Sequence, residues 1–577
     1  MPEQLTKVDA DRQAIVEAKE KGLCSMTRTY LRLSGPGWLQ SALTLGGGSL
    51  ASSLFLGVLA GFGLLWLQPV AMILGIIMLS AIGYVAMSTS ERPFQAINRH
   101  VNPVLGWGWA LASLAANMVW ALPQYSLASG VLQQNLMPGV LGPESALGAT
   151  VGDWFFSIFP GLLGPETVVA DIGGKIVISA AILAITMAIT FTYDSGGWGI
   201  KLYELMLKLV VAGIVMCFVG VVGVLALKGD LAWGEIARGF IPDLTKLYRP
   251  AESFNWLLDA VPDGYRDFWV ARIVAEQRDV MISAAATAVG INMTFLLPYS
   301  MLRRGWDKTF RGLAIFDLST GMFIPFVLAT SCVVIASATQ FHPNEAVEAT
   351  LLEEGDLPEL PEDTVQGLAE ARLAHTNAAQ AEPLNRAEVL LASHLQRKDA
   401  FDLAKSLKPL TGDVVADVIF GIGVLGMTLS SITLLMLISG FVICEMLGLP
   451  PTGWPNRIGT LAAATGVLGP FLWSGTTRFW LAVPTSVFGM VLLPIAYITF
   501  FCMMNSKNLL GDNMPRGGRR VAWNTSMGIA AAAALSASVY MVWVKTQYYG
   551  LAGVGAFLAL VLFVHFAFPR KSAASNE

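Results

Sequence analysis

The chain has 577 residues, of which 54% are apolar and only 14% charged, with a mean hydropathy of +0.59 and a formal net charge of −4. A composition this apolar excludes a large soluble globular protein and marks a polytopic membrane protein. The charge balance points to no nucleic-acid partner.

Residues 1–34 form a polar, charged tail predicted to be helical, and no signal peptide precedes the first apolar segment. Twelve apolar segments long enough to span a bilayer follow, at about 38–60, 64–87, 106–131, 171–193, 204–227, 281–301, 312–339, 412–445, 457–474, 479–504, 523–544 and 549–568. The eighth exceeds what a span needs, so its start is expected outside the bilayer. The predicted organisation is a tail (1–34), a first repeat (35–227), an external loop (228–280), segments six and seven (281–340), an external acidic insertion (341–410), segments eight to ten (411–505), segments eleven and twelve (506–568) and a second tail (569–577). With the N-terminus inside, the inner tails and loops hold 20 Lys and Arg, among them Arg28, Arg92, Arg304, Lys308, Arg311, Lys507 and Arg520, whereas the short outer loops hold Lys545 and Arg478. This asymmetry places both termini in the cytoplasm and predicts a multi-pass protein of the plasma (inner) membrane.

Two of the apolar segments are interrupted. Leu39–Ala60 is broken by Gly46-Gly47-Gly48-Ser49, and Met281–Met301 is broken around Gly290-Ile291-Asn292 and again at Pro298. Irregular backbone at membrane depth is tolerated only where it lines a cavity or is buried in protein. Broken helices in matching positions of two halves point to the substrate site of a secondary transporter. The bland alternative is that these glycines only permit close helix packing, but both breaks also carry polar side chains.

Other signals are weak. There is no GxxxxGK[ST] motif for an ATP-driven motor, and Gly173-Gly174-Lys175 is followed by Ile176. The five histidines and five cysteines show no zinc spacing and no outer-loop pairing, and no Ser–His–Asp set can be argued. No enzyme and no resident cofactor are expected. The insertion carries 13 acids against 6 bases, and 345–370 holds nine acids and no base. It reads as a solvated helical hairpin, with an electrostatic funnel for cations as the alternative.

Several local patterns, taken together, carry a family likeness. Gly35-Pro36-Gly37-Trp38-Leu39-Gln40-Ser41, Ser430-Ser431-Ile432-Thr433, Phe441-Val442-Ile443-Cys444-Glu445-Met446-Leu447 and the run from Leu493-Pro494 through Asn505–Gly511 are similar to conserved stretches of one group. The chain resembles the natural-resistance-associated macrophage protein (Nramp) family of divalent metal transporters, and most of all its divergent Nramp-related magnesium branch. The resemblance covers roughly 33–512. It implies an all-α, LeuT-like 5+5 inverted repeat with two additional C-terminal helices.

The departures concern the site. Where the family implies an Asp and an Asn in the first break and a Met in the second, this chain has Gly46, Ser49 and Asn292, with Val289 beside the last. The family's sixth-helix histidines fall on Thr294 and Tyr299, its third-helix acids on Asn117 and Trp120, its tenth-helix Gln on Leu492 and a ninth-helix Arg near Leu461. An amide in place of a thioether removes a preference for soft metals. Losing the carboxylate weakens the pull that strips water from a dication, and Mg²⁺ keeps its waters readily. The expected metal site is therefore Gly46, Ser49, Val289 and Asn292, with Thr44, Asn117, Gln124, Thr294, Tyr299 and Ser431 as possible cavity lining. Asn117 and Gln124 share a helix face and either line a cavity or bond neighbouring helices; Thr428 and Ser431 face the site or cement packing. Asp317 is read as functional or as an ion-pair partner near Arg311, and Glu445 as structural.

The expected function is transport of divalent cations, Mg²⁺ foremost and Mn²⁺ tolerated, as largely hydrated ions, without obligatory proton coupling. The expected partners are that cation and the bilayer, and a monomer is compatible with the sequence. A transporter of a small neutral or zwitterionic organic solute is the alternative, and a non-transporting sensor is a third reading.

Overall fold

The computed structural model describes residues 2–162, 167–194, 197–229, 231–376, 382–396, 402–403, 408, 412, 418–472 and 482–567. All the regular elements among them are helical. Arg478, the tail from 569 and parts of the insertion lie outside the described residues.

A polar helix α1 (Pro2–Glu20) and an amphiphilic helix α2 (Leu23–Leu33) precede the apolar bundle. The bundle consists of α3 (Pro36–Thr44), α4 (Gly47–Ala60), α5 (Leu67–Thr89), α6 (Pro103–Val131), α7 (Val169–Asp194), α8 (Gly197–Lys228), α9 (Asp263–Ala288), α10 (Ile291–Arg303), α11 (Ile324–Phe341), α12 (Phe420–Met446), α13 (Ala482–Met504) and α14 (Gly518–Ala567). Among the described residues, nine helices are long and apolar enough to cross a membrane, or ten if the bent α3–α4 pair is one span. The chain is a multi-pass integral membrane protein.

The helices depart from the expected segments where packing overrides hydropathy. α9 runs unbroken from Asp263, so 263–280, read as loop from their charges, are the first turns of the sixth helix. The ninth segment is a series of short turns, Gly453–Thr460, Leu461–Leu468 and Gly469–Leu472, pressed onto α6. A Cβ at Gly469 would lie 2.1 Å from the Leu122 carbonyl oxygen, which shows how closely those backbones approach. The last two segments form one helical run interrupted at Gln547, whose φ of 49° is left-handed. Much of α14 keeps its apolar side chains outward, as a perimeter helix facing lipid does.

The insertion is docked rather than simply solvated. Glu362–Thr376 and Arg386–Leu395 pack against α9, and the second also touches α4. Arg372, 1% exposed, donates from Nη1 to both carboxylate oxygens of buried Glu388, at 2.7 and 2.6 Å. Glu388 also accepts from Trp269 Nε1 at 2.9 Å on α9, and the Arg372 guanidinium stacks 4.0 Å from the Tyr265 ring centroid. Nearby, His342 at the end of α11 bonds the Val58 carbonyl at 2.8 Å and Ser253 Oγ at 2.5 Å. One buried polar cluster thus ties the insertion to α9, and a histidine ties the end of α11 to the last turn of α4.

Two outcomes follow. Removing one member of a buried pair strands the other and costs about 3–5 kcal/mol, so Glu388→Ala should speed limited proteolysis within 341–410 severalfold; unchanged cleavage rates would mean that the cluster does not hold the insertion. Burial, opposed by the Val58 carbonyl and by Glu348 but aided by the His394 and Lys246 charges, pushes His342 from about 6.5 down to about 4. Its folded-state value lies below the unfolded one, so its contribution is intact above about 6.5 and is lost as pH falls from there to about 4. The difference in melting temperature between the wild type and His342→Gln should change across that window and be flat above it.

Candidate functional site

The first interruption lies one residue earlier than the glycine run suggests. α3 ends at Thr44, Leu45 and Gly46 carry the 55° bend, and Gly47, Gly48 and Ser49 already form the first turn of α4. The Gly46 carbonyl is not free: it accepts from Ser49 Oγ at 2.9 Å and from the Leu50 amide at 3.2 Å. The Gly47 amide, one of the donors that a helix start leaves unpaired, donates to Gln124 Oε1 at 3.0 Å.

The second interruption is gentler. Val289 and Gly290 are extended between α9 and α10, and the Gly290 amide is capped by the Met293 thioether at 3.3 Å. Pro298 does not break the chain again, since α10 continues through it to Arg303.

A cavity lies between the two interruptions. It holds about 50 Å³ open to the centres of water molecules. Of the expected residues, Gly46, Ser49, Asn292, Thr44, Gln124 and Ser431 line it. The others stand elsewhere. Val289 packs its side chain on Gly75 of α5. Asn117 sits behind Asn292, accepting its amide N–H at 2.9 Å. Thr294 accepts from Trp109 Nε1 at 2.9 Å, and Tyr299 stacks 4.7 Å from Phe295, which stacks on Trp109. These last two belong to a buried aromatic plug further along α10.

Sequence reasoning missed part of the wall. Trp120, Thr287, Met293, Thr485 and Ser486 also line the cavity. The Trp120 indole donates to the Thr485 carbonyl at 2.8 Å, and its ring fits only because Gly290 and Gly489 lack side chains: a Cβ there would lie 2.3 and 2.1 Å from it. Thr287, three residues before Gly290, and the adjacent hydroxyls Thr485 and Ser486 were legible signals. Met293 corrects the expectation of a site without a thioether, for a sulfur lies one residue beyond Asn292.

No ionisable side chain lines the cavity among the described residues, and no group of three His, Cys, Asp or Glu comes together there or elsewhere among them. Asp317 is far from the ion-pair role suggested near Arg311. It accepts from Ser34 Oγ and from the Gly35 and Gly37 amides, the latter two at 3.1 and 2.6 Å, and so caps the start of α3. A carboxylate there is favoured by the helix dipole. Arg311 turns instead to Tyr84, Ser88 and Asn513. Glu445 pairs with Arg92 at 3.0 Å.

Residues 384–544 match the model for natural resistance-associated macrophage protein-like sequences. Over that stretch the chain is similar to the Nramp family. No curated protein sequence matches it significantly. Among solved structures, a manganese transporter of Eremococcus coleocola bound to an aromatic bis-isothiourea substituted compound is similar at 12% identity, with a TM-score of 0.58 over 93% of this chain and 95% of that one. Two single-residue variants of the same transporter align over the same shares at 12% identity, with TM-scores of 0.57 and 0.53. The chain shares the fold of these structures, the LeuT-like architecture expected from its sequence.

Gly46 is required for a steric reason. A Cβ there would lie 2.5 Å from Ser431 Oγ but 3.5 Å from Ser431 Cβ. Gly46→Ala should therefore cost about 1–3 kcal/mol through overpacking, read as a lower melting temperature and reduced uptake, and Ser431→Ala should restore much of both. Equal damage with and without Ser431→Ala would place the fault in the backbone bend instead.

Proposed function

We propose that the chain is a secondary transporter of divalent cations, Mg²⁺ foremost with Mn²⁺ tolerated, working by alternating access without obligatory proton coupling. One observation carries this reading. The hydroxyl protons of Thr44, Ser49 and Thr287 are all committed to backbone carbonyls, those of Gln40, Gly46 and Ala284, at 2.6, 2.9 and 2.9 Å. A hydroxyl whose proton is engaged has only lone pairs left to offer. Three such oxygens therefore line the cavity beside the Asn292 and Gln124 amide oxygens. That set suits a hard cation.

The absence of a carboxylate sets the affinity. The cavity is roomy and polar enough to hold water beside the wall oxygens. The ion then keeps part of its shell, in line with the reluctance of Mg²⁺ to dehydrate. The Met293 thioether adds a soft contact that accommodates Mn²⁺. With no Asp, Glu or His in the described wall, the usual carriers of membrane proton relays are missing.

A second reading has one observation of its own. Helix geometry leaves the Gly48 and Ser49 amides without intrahelical acceptors, and buried Ser431 Oγ lacks a hydrogen-bond partner. Such donors would suit the carboxylate of a small zwitterionic solute. For the membrane placement, the basic residues Arg12, Arg92, Arg304, Arg311 and Arg516 lie on the segments at the end of the bundle that holds the N-terminal helices, which supports cytoplasmic termini in the inner membrane.

Purified protein in liposomes, offered Mg²⁺, Mn²⁺, Ca²⁺ and an amino-acid mixture in parallel, tests both readings. The expected result is saturable uptake of Mg²⁺ and Mn²⁺ at high-micromolar to millimolar concentrations. Uptake should vary little between about pH 6 and 8, and an internal dye should show no acidification. Met293→Leu should lower Mn²⁺ uptake relative to Mg²⁺ severalfold. Submicromolar Mn²⁺ affinity, or amino-acid uptake without metal uptake, would overturn the proposal.

A further inference from the structure

Asn292 presents two chemically opposite ends of nearly identical shape. Its oxygen would ligate a cation, whereas its NH₂ would repel one, so the orientation of the amide determines what the second interruption offers. That orientation is set from behind the cavity. Asn292 Nδ2 donates to Asn117 Oδ1 at 2.9 Å on α6. Asn117 Nδ2 in turn donates to Ser439 Oγ at 3.2 Å on α12, and Ser439 Oγ donates to the Leu435 carbonyl at 2.8 Å.

The order of these bonds cannot be reversed, because the last link is a backbone carbonyl that only accepts. With its proton on Leu435, the Ser439 oxygen must receive one, so the NH₂ of Asn117 faces Ser439. The Asn117 oxygen then faces Asn292 and claims its NH₂. The Asn292 oxygen is left on the side of the interruption, where it accepts from the Met293 amide at 2.8 Å and lies 2.7 Å from where a Gly290 Cβ would be. All three side chains are shut off from bulk solvent, and Asn117 and Ser439 stand behind the cavity wall rather than in it.

We infer that Asn117 is a positioning residue: with Ser439 and the Leu435 carbonyl it holds the Asn292 amide oxygen toward the cavity as a cation ligand. The inference rests on the cation reading and names what fixes one of its ligands. It also gives a use for a polar residue at a place where the family keeps an acid.

A double-mutant cycle read by calorimetric titration of the purified full-length chain with Mn²⁺ tests it. Asn117→Ala frees the amide to turn and should weaken Mn²⁺ binding about tenfold, the scale of a lost hydrogen bond to a charged group. Asn292→Asp has oxygens at both ends and needs no orientation, so adding Asn117→Ala to it should change affinity less than twofold. A merely structural Asn117 would weaken binding equally in both backgrounds, and that result overturns the inference, as does an Asn117→Ala variant that binds like the wild type. Melting temperature without metal, measured for all four proteins, reports the packing cost separately. If the unaltered chain binds no divalent cation, the cation reading itself fails and this inference goes with it.

Discussion

The structure is organised around one constraint: two helices are interrupted in the middle of an apolar bundle, and their exposed backbone groups must find partners there. In hydrocarbon each unsatisfied group costs several kcal/mol. The solutions are all long-range side chains or local turns. Asp317, far along the chain, caps the start of α3, and Gln124 of α6 caps the start of α4. Gly46 turns its carbonyl back into α4, and Met293 covers the Gly290 amide. Those caps frame the polar cavity between the two interruptions.

The same bookkeeping explains why the cavity can be polar without being charged. Thr44, Ser49 and Thr287 point their hydroxyl protons into their own helices, which leaves three oxygens with lone pairs free and no ionised group to bury. Gly46 is packed against Ser431 with no room for any side chain.

The insertion adds a layer that composition hides. Its excess of acids reads as solvation, yet buried Arg372 meets buried Glu388, and together they bind the first turns of α9 through Trp269 and Tyr265. The first half of the second broken helix therefore carries a docked plate. His342 joins the last turn of α4 to α11.

Much of this was legible in the residues alone. Long apolar runs dictate membrane helices because the bilayer leaves no alternative, and a glycine run or a Gly-Ile-Asn within such a run marks a break for the same reason. Six of the ten expected site residues line the cavity because they sit on the broken turns or face them at helical spacing. What the sequence could not settle was direction. Whether Gly46 offers its carbonyl, whether Asn292 shows oxygen or nitrogen, and whether Met293 rather than Val289 reaches the wall depend on rotations of a few tens of degrees within one turn. Those rotations are decided by partners hundreds of residues away, Ser431, Asn117 and Ser439 among them, and only the packed bundle brings these together.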